Sequence, residues 1–277
     1  MVILRELIGG TIMLLFTGIC GKFFRGGFAS TILFLATVIN VFMFVLIHTF
    51  SRERKRAHSR NMYYGMKVYS WFLYLIWWID IEVVKTEIPK ATQYILTSNH
   101  ISYLDIFVMA RGITSCLPRE TCETMRLIYW EELNNVPVLN YIFKLTGCIP
   151  IQMAKTNDRS LENQYDKDSV KQMYREVEYA LKEEGLSIGM SFEGRRNNNP
   201  GKLNKIQKGM WRISDQYNVP VIFFRLQGVD KIWPIDELPH GAGKVTVELF
   251  PDTTNFAGQT YEQYQGAIRQ RYEKNVS

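Results

Sequence analysis

Two short segments carry residue types that could do chemistry together. The first is Ser98-Asn99-His100-Ile101-Ser102-Tyr103-Leu104-Asp105, where a histidine and an aspartate stand five positions apart. On one continuous helix that offset is about 500°, so the two side chains would diverge. At a strand-to-helix junction they can meet. An Asp that accepts from one imidazole nitrogen fixes the tautomer and leaves the other nitrogen as a base. Such a base takes the proton of a substrate hydroxyl, typically worth ~10²–10⁴ in rate. The plain alternative is a buried, satisfied His100 and a surface Asp105. The second segment is Ser191-Phe192-Glu193-Gly194-Arg195-Arg196-Asn197. It ends an apolar run that reads as a strand, and strand ends in open α/β sheets are where ligands bind. Gly194 permits a sharp turn. Arg196 offers a planar, permanently charged fork for phosphate, and Glu193 would orient that guanidinium. The plain alternative is a solvated loop with ordinary charges.

The elements around these segments must hold them in place. Residues 93–97 read as a strand and 103–110 as a helix with Ser102 as its N-cap. Residues 137–145 read as a helix closed by Gly147, and 148–152 as a strand. The polar stretch 155–167 reads as a loop. Residues 168–184 form an amphipathic helix with Val170, Met173, Val177, Ala180 and Leu181 on its apolar stripe, stopped by Gly185. Strands follow at 186–192, 219–226 and 244–250, with a helix at 204–217. This alternation predicts an α/β domain over residues 85–277, a largely parallel sheet flanked by helices.

Residues 1–84 differ in character. Positions 26–51 contain no charged side chain. As a helix this run would be about 39 Å long at ~1.5 Å per residue, enough to cross a bilayer core of about 30 Å with tilt. A shorter uncharged run covers 7–21. A longer apolar run follows it with no small-residue cleavage site between them, which argues against a secretory signal. Arg52, Arg54, Lys55, Arg56 and Arg60 come next, opposed only by Glu53. The positive-inside rule puts this cluster, and everything after it, in the cytoplasm. Residues 68–79 hold Tyr69, Trp71, Phe72, Tyr74, Trp77 and Trp78. They read either as a core helix or as a helix lying in the membrane interface. The expectation is an N-terminal apolar helical membrane anchor over 1–84. His48 and His58 read as a helix-end and a solvated residue.

Asn-His-x-Ser-x-x-Asp, followed some 90 residues later by Phe-Glu-Gly-x-Arg behind an apolar N-terminus, resembles the membrane glycerolipid acyltransferases. These are the lysophosphatidic acid (1-acylglycerol-3-phosphate) acyltransferase family. The likeness runs from about residue 92 to 226. It implies that His100 is the catalytic base and Asp105 its orienter, acylating a glycerol hydroxyl from acyl-CoA or acyl-carrier protein. It also implies that Glu193, Gly194 and Arg196, with Arg195 beside them, form the acceptor-binding loop, and that Asn99 and Ser102 in the first segment contact substrate. Gly147-Cys148-Ile149-Pro150-Ile151 matches the family's middle strand motif, and Lys208-Gly209 and Val219-Pro220-Val221-Ile222 its later segments. The implied partners are a lipid membrane, the acyl thioester donor and a lysophospholipid acceptor, with the active site on the cytoplasmic face and no cofactor or metal. Several positions depart from the family pattern. Met153 stands where an Arg is usual, and Trp130 where a Lys is usual. Arg195 replaces a small Thr or Ser, Ser191-Phe192 replaces Phe-Pro, and Phe223 replaces a second Pro. Met153 keeps open a different lysophospholipid or an amino lipid as acceptor; a non-catalytic lipid-binding relative is the other alternative.

Composition bounds the rest. With 47% hydrophobic residues the chain is no disordered tail, and four cysteines in 277 residues make no disulfide scaffold. Cys116 and Cys122 lack the spacing of a metal site, and no phosphate-binding Gly-x-x-x-x-Gly-Lys loop occurs. The net charge of +6 flanks apolar helices, which points to anionic lipid and not to nucleic acid. Gly185-Leu186-Ser187-Ile188-Gly189 fits a hydrolase nucleophile elbow in letters only, because a helix precedes and a strand follows, the reverse of what the elbow needs.

Overall fold

The structure is a computed structural model that describes residues 19–153, 165–200, 202–235 and 237–273. Most of the apolar run at 7–21 and of the polar loop at 155–167 lies outside these residues. Seven strands form one sheet: β1 (Ile79–Val84), β2 (Ile95–Ser98), β3 (Met125–Trp130), β4 (Ile149–Ile151), β5 (Ser187–Gly189), β6 (Val221–Gln227) and β7 (Gly243–Leu249), in the order β1-β7-β6-β2-β5-β3-β4. The run from β6 to β4 is parallel throughout, and β7 turns antiparallel to β6. The mostly parallel sheet flanked by helices is therefore as the sequence predicted. Its first strand comes earlier than expected: β1 precedes residue 85, yet it pairs along its whole length with β7.

The strands alternate between two buried faces. In β6, Ile222 and Phe224 join one core while Val221 and Phe223 join the other; in β2, Leu96 and Ile95 divide likewise. Burial on both sides is the mark of a parallel sheet covered by helices. One face is covered by α1 (Ile19–Phe50), α2 (Arg54–Phe72) and α3 (Asp105–Cys116), with the short α4 (Arg119–Glu123) and α5 (Pro137–Thr146) alongside. The other is covered by α6 (Lys167–Lys182), α7 (Lys208–Tyr217) and α9 (Tyr261–Tyr272); α8 (Val229–Ile232) is a single turn after β6. Helix α5 starts with proline and closes on Gly147 in the left-handed region, φ 68°.

Gly21–Phe50 is long and apolar enough to cross a membrane. It is also docked on the rest of the chain. Ala29, Leu33, Ala36, Asn40 and Phe44, spaced one turn apart, are buried, and the Asn40 amide donates to Gly65 O of α2 at 3.4 Å. The opposite flank, with Phe34, Leu35, Val38, Phe42 and Leu46, is exposed. The aromatic stretch at 68–79 is not one helix. It comprises the end of α2, a turn of 3₁₀ helix at Leu73–Leu75 and the start of β1. Phe72, Leu73 and Ile76 are core, while Trp71, Tyr74 and Trp77 are exposed.

Candidate active site

The C-terminal ends of β2, β5, β3 and β4 lie at one edge of the sheet, because these strands are parallel. Both chemistry-bearing segments emerge there. After Ser98 the backbone leaves β2, and α3 begins at Asp105, so His100 sits in the connecting loop and Asp105 in the first helical turn. His100 Nδ1 lies 2.6 Å from Asp105 Oδ2. The same oxygen accepts from the backbone N–H of Ile101 at 2.7 Å and of Ser102 at 3.0 Å. Asp105 is buried, 3% exposed, in the first turn of α3. A carboxylate only accepts, so the imidazole proton sits on Nδ1 and Nε2 keeps its lone pair. The histidine side chain is 33% exposed, so the base is open to a ligand while its partner is sealed.

Glu193 plays a different part from the one expected. It does not reach the Arg196 guanidinium. It is wholly buried, and its two oxygens accept from the backbone N–H of His100 at 3.3 Å and of Asn204 at 3.2 Å. Burial pushes its pKa up, and these hydrogen bonds oppose that shift. One carboxylate thus ties the loop after β5 to the loop that carries His100. Asn197, the last residue of the second segment, adds a second tie: its N–H donates to His100 O at 2.6 Å and its amide to Lys202 O at 2.6 Å.

Asn99 and Ser102, expected to touch substrate, each make hydrogen bonds within the fold. The Asn99 amide donates to Leu226 O at 2.9 Å and accepts from Leu226 N at 2.8 Å, which continues the β2–β6 pairing with a side chain. Ser102 Oγ donates to Trp233 O at 2.7 Å and accepts from Leu104 N at 3.0 Å, fully buried. Both polar ends of each side chain are taken.

Gly194 lies at φ +71°, and a Cβ there would stand 2.4 Å from the Tyr165 hydroxyl; that hydroxyl donates to Gly194 O at 2.6 Å. Arg195 is exposed beside Tyr165. The guanidinium of Arg196 stacks 3.8 Å from the centroid of the Tyr103 ring, which fixes the plane of the fork. The sequence announced neither the Tyr103 contact with Arg196 nor the Tyr165 contact with Gly194. Trp130 ends β3, 40% exposed, and Met153 bridges to Tyr165 just past β4. Ser187 is buried in β5, accepting from Tyr94 N at 3.1 Å, which removes it as a nucleophile.

Three comparisons bear on this arrangement. A family model described as Acyltransferase matches residues 80–225, which takes in both loops. The chain is 24% identical over 235 residues to the 1-acyl-sn-glycerol-3-phosphate acyltransferase BAT2, chloroplastic, of Brassica napus, covering 83% of this chain and 59% of that one. It is 23% identical over 224 residues to LPAT1, chloroplastic, of Arabidopsis thaliana, covering 80% and 55%. It therefore spans somewhat more than half the length of these plant relatives. Its fold is shared with the crystal structure of the 1-acyl-sn-glycerophosphate (LPA) acyltransferase PlsC from Thermotoga maritima: TM-score 0.67, 19% identity, 92% of this chain and 97% of that one.

Proposed function

The chain belongs to the acyltransferase family, and from that premise we propose that it moves a fatty acyl group from an acyl thioester to the free hydroxyl of lysophosphatidic acid, giving phosphatidic acid. The names borne by the plant relatives and by the Thermotoga protein support this acceptor. One observation carries the mechanism: the 2.6 Å contact between His100 Nδ1 and a sealed Asp105. Nε2 of His100 takes the acceptor's hydroxyl proton as that oxygen attacks the thioester carbonyl. The C–S bond then breaks, and the imidazolium returns its proton to the leaving sulfur. Asp105 holds the tautomer and stabilises the imidazolium between these steps. Arg196 binds the acceptor phosphate with its oriented fork, and Arg195 stands beside it. Neither a metal nor a covalent enzyme intermediate is called for.

The exposed apolar flank of α1 and the exposed Trp71 and Trp77 support membrane attachment, with the basic cluster of residues 52–60 on the cytoplasmic side. The test is purification in detergent, incubation with an acyl thioester and a panel of lysolipids, and measurement of free thiol. Turnover on lysophosphatidic acid that vanishes in His100→Ala is the expected result; turnover unaffected by that change overturns the mechanism. Trp130 and Met153, uncharged at two positions where the family carries cations, favour a second reading with another lysophospholipid as acceptor. The same panel decides between them.

A further inference from the structure

Arg196 is half-buried, and among the described residues its guanidinium has no acidic partner. It lies instead against the Tyr103 ring, with its central carbon 3.8 Å from the ring centroid. A guanidinium stacked in this way keeps its N–H donors in its own plane, directed past the ring edge, where a phosphate can take two of them. Tyr103 has a backing of its own. The Trp233 ring, far along the chain, lies 5.6 Å from the Tyr103 ring at 40°, and stacks on Phe107 of α3 at 6.5 Å and 8°. Phe107 meets Tyr69 of α2 edge-on at 4.9 Å. Trp233 is fixed at three further points. Its carbonyl accepts from the buried Ser102 Oγ at 2.7 Å, its backbone N–H donates to Val229 O at 2.9 Å, and its indole N–H donates to Glu237 O at 2.8 Å. The segment after it is tied to α1, where Arg25 donates to His240 O at 2.9 Å. Ser102 and Tyr103 are consecutive, so one residue of the His100 loop fastens the backbone of Trp233 while the next meets its ring.

We propose that Tyr103 and Trp233 are positioning residues for the acceptor phosphate: Tyr103 sets the plane of the Arg196 fork, and Trp233 sets the tilt of Tyr103. This rests on the reading of Arg196 as the phosphate ligand and adds the residues that aim it. Neither ring has to touch the substrate. An arginine already stacked has given up its rotamer freedom before the ligand arrives, whereas a free one loses it at each binding event. What position 103 supplies is an aromatic face and not a hydroxyl, since among the described residues the Tyr103 hydroxyl has no hydrogen-bond partner.

The test uses the full-length protein in detergent, with an acyl-CoA as donor and lysophosphatidic acid as acceptor, and a thermal melt on every variant. Tyr103→Leu should raise the acceptor's Michaelis constant about two- to thirtyfold, the scale of one cation–π contact. It should leave kcat and the donor's constant where they were. Tyr103→Phe keeps the ring face and should behave as wild type. Trp233→Leu should shift the acceptor's constant the same way by less, about two- to threefold, and Trp233→Phe should restore most of it. Arg196→Ala removes the group through which both rings act, so adding Tyr103→Leu or Trp233→Leu to it should change nothing more. A merely structural role would persist in that background, and its persistence overturns the proposal. So does an equal rise in the donor's constant, or a fall in kcat that tracks the melting temperature. If Arg196→Ala raises the acceptor's constant while Tyr103→Leu does not, the positioning role fails and the acceptor reading stands. If Arg196→Ala leaves that constant unmoved, the acceptor reading fails and the proposal with it. Calorimetry with lysophosphatidic acid separates the remaining case: affinities in the same order without any acyl transfer would sink the reaction and keep the positioning role.

Discussion

Asp105 Oδ2 accepts from His100 and from two backbone amides. Asp105→Asn keeps the shape but loses the charge that stabilises an imidazolium, so kcat should fall by about 10³–10⁴ with little change in melting temperature. Thiol release and a thermal melt on one sample check both halves. Arg196→Lys keeps the charge and loses the fork, so it should raise the acceptor's Michaelis constant. Arg196→Ala should raise it further, about ten- to over a hundredfold, the scale of a charge-assisted contact of roughly 1.5–3 kcal/mol. Arg195→Thr should do much less unless Arg195 shares the phosphate. Glu193→Gln leaves one amide N–H facing an NH₂ group, at about 1–3 kcal/mol for a buried donor without a partner. It should lower both stability and kcat, because both loops lose their shared anchor. His100 and Asp105 were legible in the sequence because they are near neighbours with an obvious joint chemistry. The true partners of Glu193 were not, since they are backbone amides distant in sequence and an amide has no letter of its own. The partners of Asn99 and Ser102 were hidden for the same reason: Leu226 and Trp233 lie far along the chain and engage through backbone groups.

Helix α3 lies tight against β7. A Cβ on Gly112 would stand 2.5 Å from Val247 Cγ1, and Val247 is fully buried and stiff at χ1. Gly112→Ala should therefore destabilise the protein by about 1–3 kcal/mol, read by denaturant unfolding. Where α1 gives way to α2, His48 and His58 stack with ring centroids 5.7 Å apart. His58, expected in solvent, is partly buried. Burial, helped by Arg126, His48 and Arg54, lowers its pKa from 6.5 to about 4. The unfolded chain takes a proton there below pH 6.5, whereas the folded chain waits until about 4. Stability is thus full above that window and falls as pH drops through it. With the ring half exposed, the loss should be about 1–2 kcal/mol. Melts taken between about pH 7 and 4.5 should show it in the wild type and much less in His58→Gln. The elements legible beforehand were those with punctuation or a clear stripe: α5 between Pro137 and Gly147, and α6 with its apolar face. The helix expected from 204 begins instead at Lys208, because the residues before it are engaged in holding Glu193. Strand β1 escaped notice because Asp80 and Glu82 interrupt its apolar residues, and β3 because it carries a buried arginine, Arg126, in a short run.

At the scale of the molecule, the outer flank of α1 and the rings of Trp71, Tyr74 and Trp77 are exposed apolar surface, the surface that the membrane attachment proposed above would use. Replacing Trp71 and Trp77 by Ser should weaken partition of the full-length protein into anionic vesicles by about tenfold or more, since each ring contributes apolar contact as well as a polar edge. High salt should release the wild type only in part; complete release would mean that charge alone holds it. The buried stripe of α1 has a consequence for how the chain is made. Asn40 finds its hydrogen-bond partner on α2, and an amide alone in hydrocarbon would lack one, at several kcal/mol. Under the membrane attachment proposed above, biogenesis would have an order, with α2 leaving the ribosome before α1 settles into lipid, so nascent chains arrested before α2 should bind vesicles poorly and those arrested after it should bind well.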